Sequence, residues 1–131
     1  MGESAQSGGG ERLPRARRLT RSSEIRSVFR QGKRSRTAHL DVFDSASPFA
    51  FPRVSIIVPR HRQTVVARNR LKRRLREILR RDVLPRLDEN RLRLDLLVRA
   101  RREAYGAPFA ELQQELTEWT SRRLARAASS G

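Results

Sequence analysis

The chain has 131 residues, 30 of them Lys or Arg and 14 Asp or Glu, for a net charge of +16 at neutral pH. That length fits one compact core and not two large ones, and a 37% hydrophobic content can bury a thin core, so a wholly disordered chain is excluded. Without cysteine there is no disulfide framework, no thiolate nucleophile and no Cys-ligated zinc site, and no apolar run approaches the roughly 20 residues that span a bilayer.

The N-terminus also lacks a signal-peptide apolar region, so a cytoplasmic protein is expected. Its charge predicts a polyanionic partner. Only Lys33 and Lys72 are lysines, so nearly every cation is a guanidinium, which grips phosphate bidentately and stacks on bases.

Residues 1–10 are Gly/Ser-rich and lack periodic apolar positions, and Arg12, Arg15, Arg17, Arg18 and Arg21 follow as a basic arm broken by Pro14. The expected organisation is a flexible basic extension over 1–18, one domain over 19–125 and a frayed end over 126–131. The first predicted helix is capped by Thr20 or Ser22, carries Ile25, Val28 and Phe29 on one side, and stops at Gly32. Ala38 to Phe43 alternates as a half-buried strand, with Leu40 and Val42 on one face and Asp41 and Phe43 on the other. Asp44 to Pro52 has loop composition. Arg53 to Val58 is a continuous β-branched run, as expected of an inner strand ended by Pro59.

A long helix is predicted from Ala67 to about Leu84, stopped near Pro85. The run Leu92 to Val98 is short and flanked by charge, which favours a strand. A last amphipathic helix starts at Pro108 and ends near Ala125, with Phe109, Leu112, Leu116 and Trp119 on one arc. Helix, strand, strand, helix, strand, helix describes an α+β sandwich with a parallel strand–helix–strand unit.

The segment Ala67 to Arg81 is the most informative. At about 100° per residue, Leu71, Leu75, Ile78 and Leu79 form an arc toward the sheet. Asn69, Arg73, Arg76 and Arg80 form a second arc flanked by Lys72, and Arg70, Arg74 and Arg81 form a third row. Glu77 alone cannot neutralise so many cations, so the helix is costly unless a polyanion lies against it. Arg68, Asn69 and Arg70 also stand at the helix start, where free amides favour an anion. The bland alternative is a solvated charged face. Elsewhere, His39 and His61 lack carboxylate companions at metal-ligand spacing, Asp88 and Glu89 read as turn residues, and no nucleophile with a base is visible.

The stretch Arg68-Asn69-Arg70-Leu71-Lys72-Arg73-x-Leu75-Arg76-Glu77 resembles the signature helix of the protein subunit of bacterial ribonuclease P. Leu19-x-x-Ser22-x-Glu24-Ile25-x-x-Val28-Phe29-x-x-Gly32 and Asp95-Leu96-Leu97-Val98-Arg99 support it, in order, across Arg18 to Arg123. The resemblance implies a small two-layer α/β sandwich of ribosomal protein S5 domain 2-like class, with a mostly antiparallel central sheet and a left-handed crossover.

It further implies an RNA-binding subunit that assists a catalytic RNA in removing the 5′ leader from precursor tRNA. The partners would be that RNA and the precursor, with no membrane and no obligate protein partner. Magnesium would be held mainly by the RNA, and the protein would contribute no catalytic residue. Family precedent assigns Arg68, Asn69, Arg70, Lys72, Arg73, Arg76 and Arg80 to the RNA subunit. It assigns Ile25, Phe29, Asp41 and Phe43 to the leader, in a cleft between the first helix and the sheet. Ile25 replaces a frequent aromatic, Asp41 brings a negative charge to a leader-facing strand, and Ser55, Gln63 and Val65 replace usual small residues. The alternative reading is a basic structural protein of another ribonucleoprotein, such as the ribosome. A self-sufficient nuclease would need clustered carboxylates, and none appear at helical or strand spacing.

Overall fold

The computed structural model describes residues 13–130. Helix α1 (Ser22–Gln31) leads to strands β1 (Lys33–Arg36), β2 (Leu40–Ala46) and β3 (Arg53–Ile57). A helical rod follows, made of α2 (Val65–Ile78), one π turn (Leu79–Val83) and α3 (Leu84–Glu89). Strand β4 (Leu94–Ala100) and helix α4 (Phe109–Ser130) complete the order. The sheet runs β1-β2-β4-β3, with β3 parallel to β4 and the other two pairs antiparallel. This is the expected α+β class, with its mostly antiparallel sheet and parallel strand–helix–strand unit.

Strand alternation feeds two cores of unequal size. Leu40 and Val42 of β2, Val54 of β3 and Leu94, Leu96 and Val98 of β4 pack with Leu71, Leu75, Ile78 and Leu79 of the rod and Leu112, Leu116 and Trp119 of α4. On the opposite face Phe43 and Leu97 meet Leu19 and Val28, with Ile25 and Ile57 at the margin. Helix α1 therefore lies on one side of the sheet while the arginine-rich rod and α4 lie on the other.

Pro85 does not stop the rod. It occupies the first turn of α3, where its missing N–H costs nothing, and the π turn before it absorbs the change of path while Leu79, Val83, Leu84 and Leu87 all stay buried. Nor is β3 an inner strand. It is an edge of the four-stranded order, partly covered by the chain before α1, where the Leu19 N–H donates to the Val54 carbonyl at 2.7 Å.

That cover corrects the N-terminal boundary. Leu13 and Leu19 are buried, Arg15–Arg17 form a 3-10 turn, and Arg17 holds Asp88 of α3 through two bonds of 3.1 Å, so Leu13 to Arg18 belong to the domain. The N-cap of α1 is Arg21, with no side-chain cap from Thr20 or Ser22. Helix α4 continues through Ser130, past Ala125 and into the segment read as frayed. The remainder of the extension expected over 1–18, residues 1–12, lies outside the described residues.

Strand β2 runs on to Ala46 because Asp44, read as the start of a loop, faces α4 and accepts from Arg123 Nε at 3.1 Å. A second cross-element tie fixes the β1–β2 turn. Glu115 of α4 accepts from the Thr37 hydroxyl at 2.6 Å and the His39 N–H at 2.9 Å, and also pairs with the His39 ring. Burial pushes this carboxyl up, but the hydrogen bonds from Thr37 and His39 outweigh it and leave its pKa below the ordinary glutamate value.

A depressed carboxylate stabilises the fold above its unfolded pKa, and that contribution disappears as pH falls through the folded value. Glu115→Gln is therefore expected to lower Tm at neutral pH, with the deficit shrinking as pH falls below about 4; an equal deficit at pH 3 and pH 7 would contradict the tie. Leu75→Ala, at a fully buried position, is expected to cost about 2–5 kcal/mol in a denaturant titration.

Candidate nucleic-acid interface

Thr64 starts α2 by accepting from the Ala67 N–H at 3.0 Å. With Leu71, Leu75 and Ile78 turned into the core, Asn69, Arg70 and Arg73 are exposed and Lys72, Arg74 and Arg76 are half-exposed. Arg70, Lys72, Arg73, Arg74 and Arg76 form no ion pair with any described residue. Two of the residues expected at RNA are engaged internally instead. Arg68 Nε donates to the Val58 carbonyl at 2.7 Å, tying the helix start to the end of β3. Arg80 meets Glu77 at 2.8 Å, and Arg81 reaches the same carboxylate at 3.5 Å.

A second basic surface lies where α1 leaves the sheet uncovered. The exposed Phe29 ring packs edge-on against Phe43, with centroids 4.9 Å apart. The Arg99 guanidinium of β4 stands 5.5 Å over Phe29, and Arg34 of β1 stands 5.9 Å over Phe43. Beyond the end of β4 a cleft of about 330 Å³ is lined by His61, Arg99, Ala100, Arg101, Arg102 and Glu103. His61 and Arg62 both have positive φ, 47° and 66°, a conformation that costs a bulky residue energy and that aims this loop at the cleft.

Two of the four expected leader residues are not at the surface. Asp41 is 1% exposed and meets Arg101 at 3.1 Å, Arg34 at 3.4 Å and Arg36 at 3.7 Å. Its charge is neutralised within the protein, so the negative character expected there is absent. Phe43 is 5% exposed and supports Phe29 from below. Ile25 is half-buried at the edge of the same cluster, leaving Phe29 as the open aromatic. The sequence pattern does not single out Arg34, Arg36 and Arg99, although strand alternation aligns them with Asp41 and Phe43: Arg34 is opposite Phe43, and Arg36 and Arg99 are opposite Asp41.

Helix α1 is held over the sheet by a buried charge cluster. Arg53 is 6% exposed, donates to Asp95 at 2.9 and 2.7 Å, and reaches Glu24 of α1 at 3.3 and 3.4 Å. The hydrogen bonds to Asp95 outweigh burial and raise the Arg53 pKa above its ordinary value. The interior acids Asp41, Asp44 and Asp95 are thus all arginine-bound, and no three His, Asp or Glu side chains among the described residues are placed to hold a metal ion. These residues do not fit a protein-held magnesium site.

A family model described as Ribonuclease P matches residues 13–124. The chain belongs to the ribonuclease P protein family. The ribonuclease P protein component of Acidothermus cellulolyticus is 38% identical over 105 residues, covering 79% of this chain and 84% of that protein. That of Thermus oshimai is 46% identical over 88 residues, which is 67% of this chain and 52% of the longer relative. The ribonuclease P protein structure from Thermotoga maritima superposes with a TM-score of 0.67 at 24% identity, covering 80% of this chain and 96% of that one. The Staphylococcus aureus structure gives 0.65 at 19%, covering 87% and 96%, and both establish the fold. The role is that of the protein component of an endoribonuclease in tRNA processing, and the ribosomal alternative is not favoured.

Because Arg53 would be left buried with only its longer contacts to Glu24 at 3.3 and 3.4 Å, Asp95→Ala is expected to destabilise this ribonuclease P protein by about 3 kcal/mol. A denaturant midpoint within error of the parent would show that the cluster does not hold α1.

Proposed function

We propose that this chain binds the ribonuclease P RNA through the outer face of α2 and steadies the unpaired 5′ leader of precursor tRNA in the cleft beside α1. The bond-breaking chemistry then belongs to the RNA, which also carries the magnesium, and the working compartment is the cytoplasm. The observation that carries this reading is the set of cations Arg70, Lys72, Arg73, Arg74 and Arg76, without an acid partner among the described residues, on a helix whose other face is committed to the core. Like charges at helical spacing repel, and an RNA backbone relieves that repulsion while releasing its own counterions.

Beside the cleft, Phe29 offers an exposed ring for an unpaired base, and Arg99 and Arg102 offer guanidinium groups for its phosphates. A single strand fits such a surface better than a duplex, because its bases are free to leave the stack. Binding there orients the precursor without any protein general base.

Reconstitution with the RNA subunit at low magnesium is expected to give leader removal only when both components are present. Cleavage by the pure protein alone, or no gain from adding it, would defeat the proposal. Arg73→Ala is expected to weaken RNA-subunit binding and to flatten the log–log salt dependence by about one unit for each phosphate the side chain neutralises. Phe29→Ala should reduce the preference for precursor over mature tRNA by about 1 kcal/mol or more, and an unchanged ratio would remove the ring from the leader path.

A further inference from the structure

The loop between β2 and β3 carries a second aromatic pair. Phe49 and Phe51 are nearly parallel, 14° apart, with centroids separated by 5.6 Å. Ring faces in contact lie about 3.5–4 Å apart, so at this separation the rings are displaced sideways, and Phe49 remains 47% exposed. A guanidinium stands over each ring, Arg53 at 4.6 Å from Phe49 and Arg17 at 5.2 Å from Phe51. Alongside, a groove of about 160 Å³ is lined by Ala50, Pro52, Asp88, Arg91, Leu92 and Arg93. Asp88 is held by Arg17, whereas Arg91 and Arg93 have no acid partner among the described residues. Arg91 has φ 54° just after α3, a position where glycine is customary, so a long cation is kept there despite the backbone strain.

An exposed aromatic ring, with Arg91 and Arg93 free of acid partners among the described residues along the neighbouring groove, matches the chemistry of an unpaired nucleotide, whose base stacks while its phosphates meet the cations. The surface is also continuous with the arginine helix. Arg76 of α2 and Arg18 line one groove along the outer edge of β3, and Arg17 carries the line on to Phe51. We infer that the β2–β3 loop is a second site of attachment to the ribonuclease P RNA, with Phe49 stacking on an unpaired base of that RNA and Arg91 and Arg93 on its flanking phosphates. The inference rests on the proposal that this chain binds the RNA subunit.

The test titrates the RNA-subunit transcript with the parent, Phe49→Ala and Phe49→Trp proteins over a salt series, with unfolding midpoints measured in parallel. Phe49→Ala is expected to weaken binding by about 5- to 150-fold, the range for removing one base stack, with the salt slope unchanged because no cation is removed. Phe49→Trp is expected to restore the affinity. Parental affinity in Phe49→Ala would overturn the inference and leave the underlying proposal intact, whereas failure of the parent to bind would defeat both. A loss that Trp does not restore would make the ring a packing element. A loss confined to precursor tRNA binding by the assembled particle would assign it to the leader. Either result overturns the assignment.

Discussion

Mutual repulsion among cations is the constraint this fold has to satisfy, since positive side chains outnumber negative ones by 16. The interior acids answer it by standing where arginines from separate elements converge. Asp41 joins β2 to β1 and to the segment after β4, Asp44 joins β2 to α4, and Asp95 joins β4 to β3 and through Arg53 to α1. In each tie the aspartate is buried and at least one of its arginine contacts is short and charge-assisted, the circumstance in which losing one partner is most damaging. Having been drawn inward, these carboxylates are out of reach of the outer face of α2, where the positive charge stays available.

The same sheet separates the two basic surfaces by simple alternation. In β2, Leu40 and Val42 point to the rod while Asp41 and Phe43 point to the side that α1 partly covers. The arginine helix and the aromatic cleft therefore sit back to back, separated by the sheet, and neither has to give way when the other is occupied. The Arg53 cluster adds rigidity at the join, because it fixes α1 and hence the height of Phe29 above the strands.

What was legible in the chain follows from the range of the forces involved. The apolar arc Leu71, Leu75, Ile78 and Leu79 is a local periodicity, and all four are buried. The packing role of Trp119 and the opposite facing of Phe43 and Leu40 were readable for the same reason. The pairing of Asp41 with Arg101 and of Glu115 with His39 joins residues far apart in sequence, so Asp41 looked exposed and His39 looked unaccompanied. Pro85 misled because a proline's effect depends on its place within a turn, and the preceding π turn is invisible to a helical wheel. Of the arginine residues expected at RNA, pattern alone could not tell Arg68, committed to the Val58 carbonyl, from Arg73, which is free to point outward.

Strand β1 is the open margin of the sheet, and its sequence is Lys33-Arg34-Ser35-Arg36. Unsatisfied strand margins are where proteins zip into one another, and a row of cations is a common safeguard against it. Two molecules brought together along this border would have to bring like charges face to face, so crowding should favour separate monomers over stacked sheets.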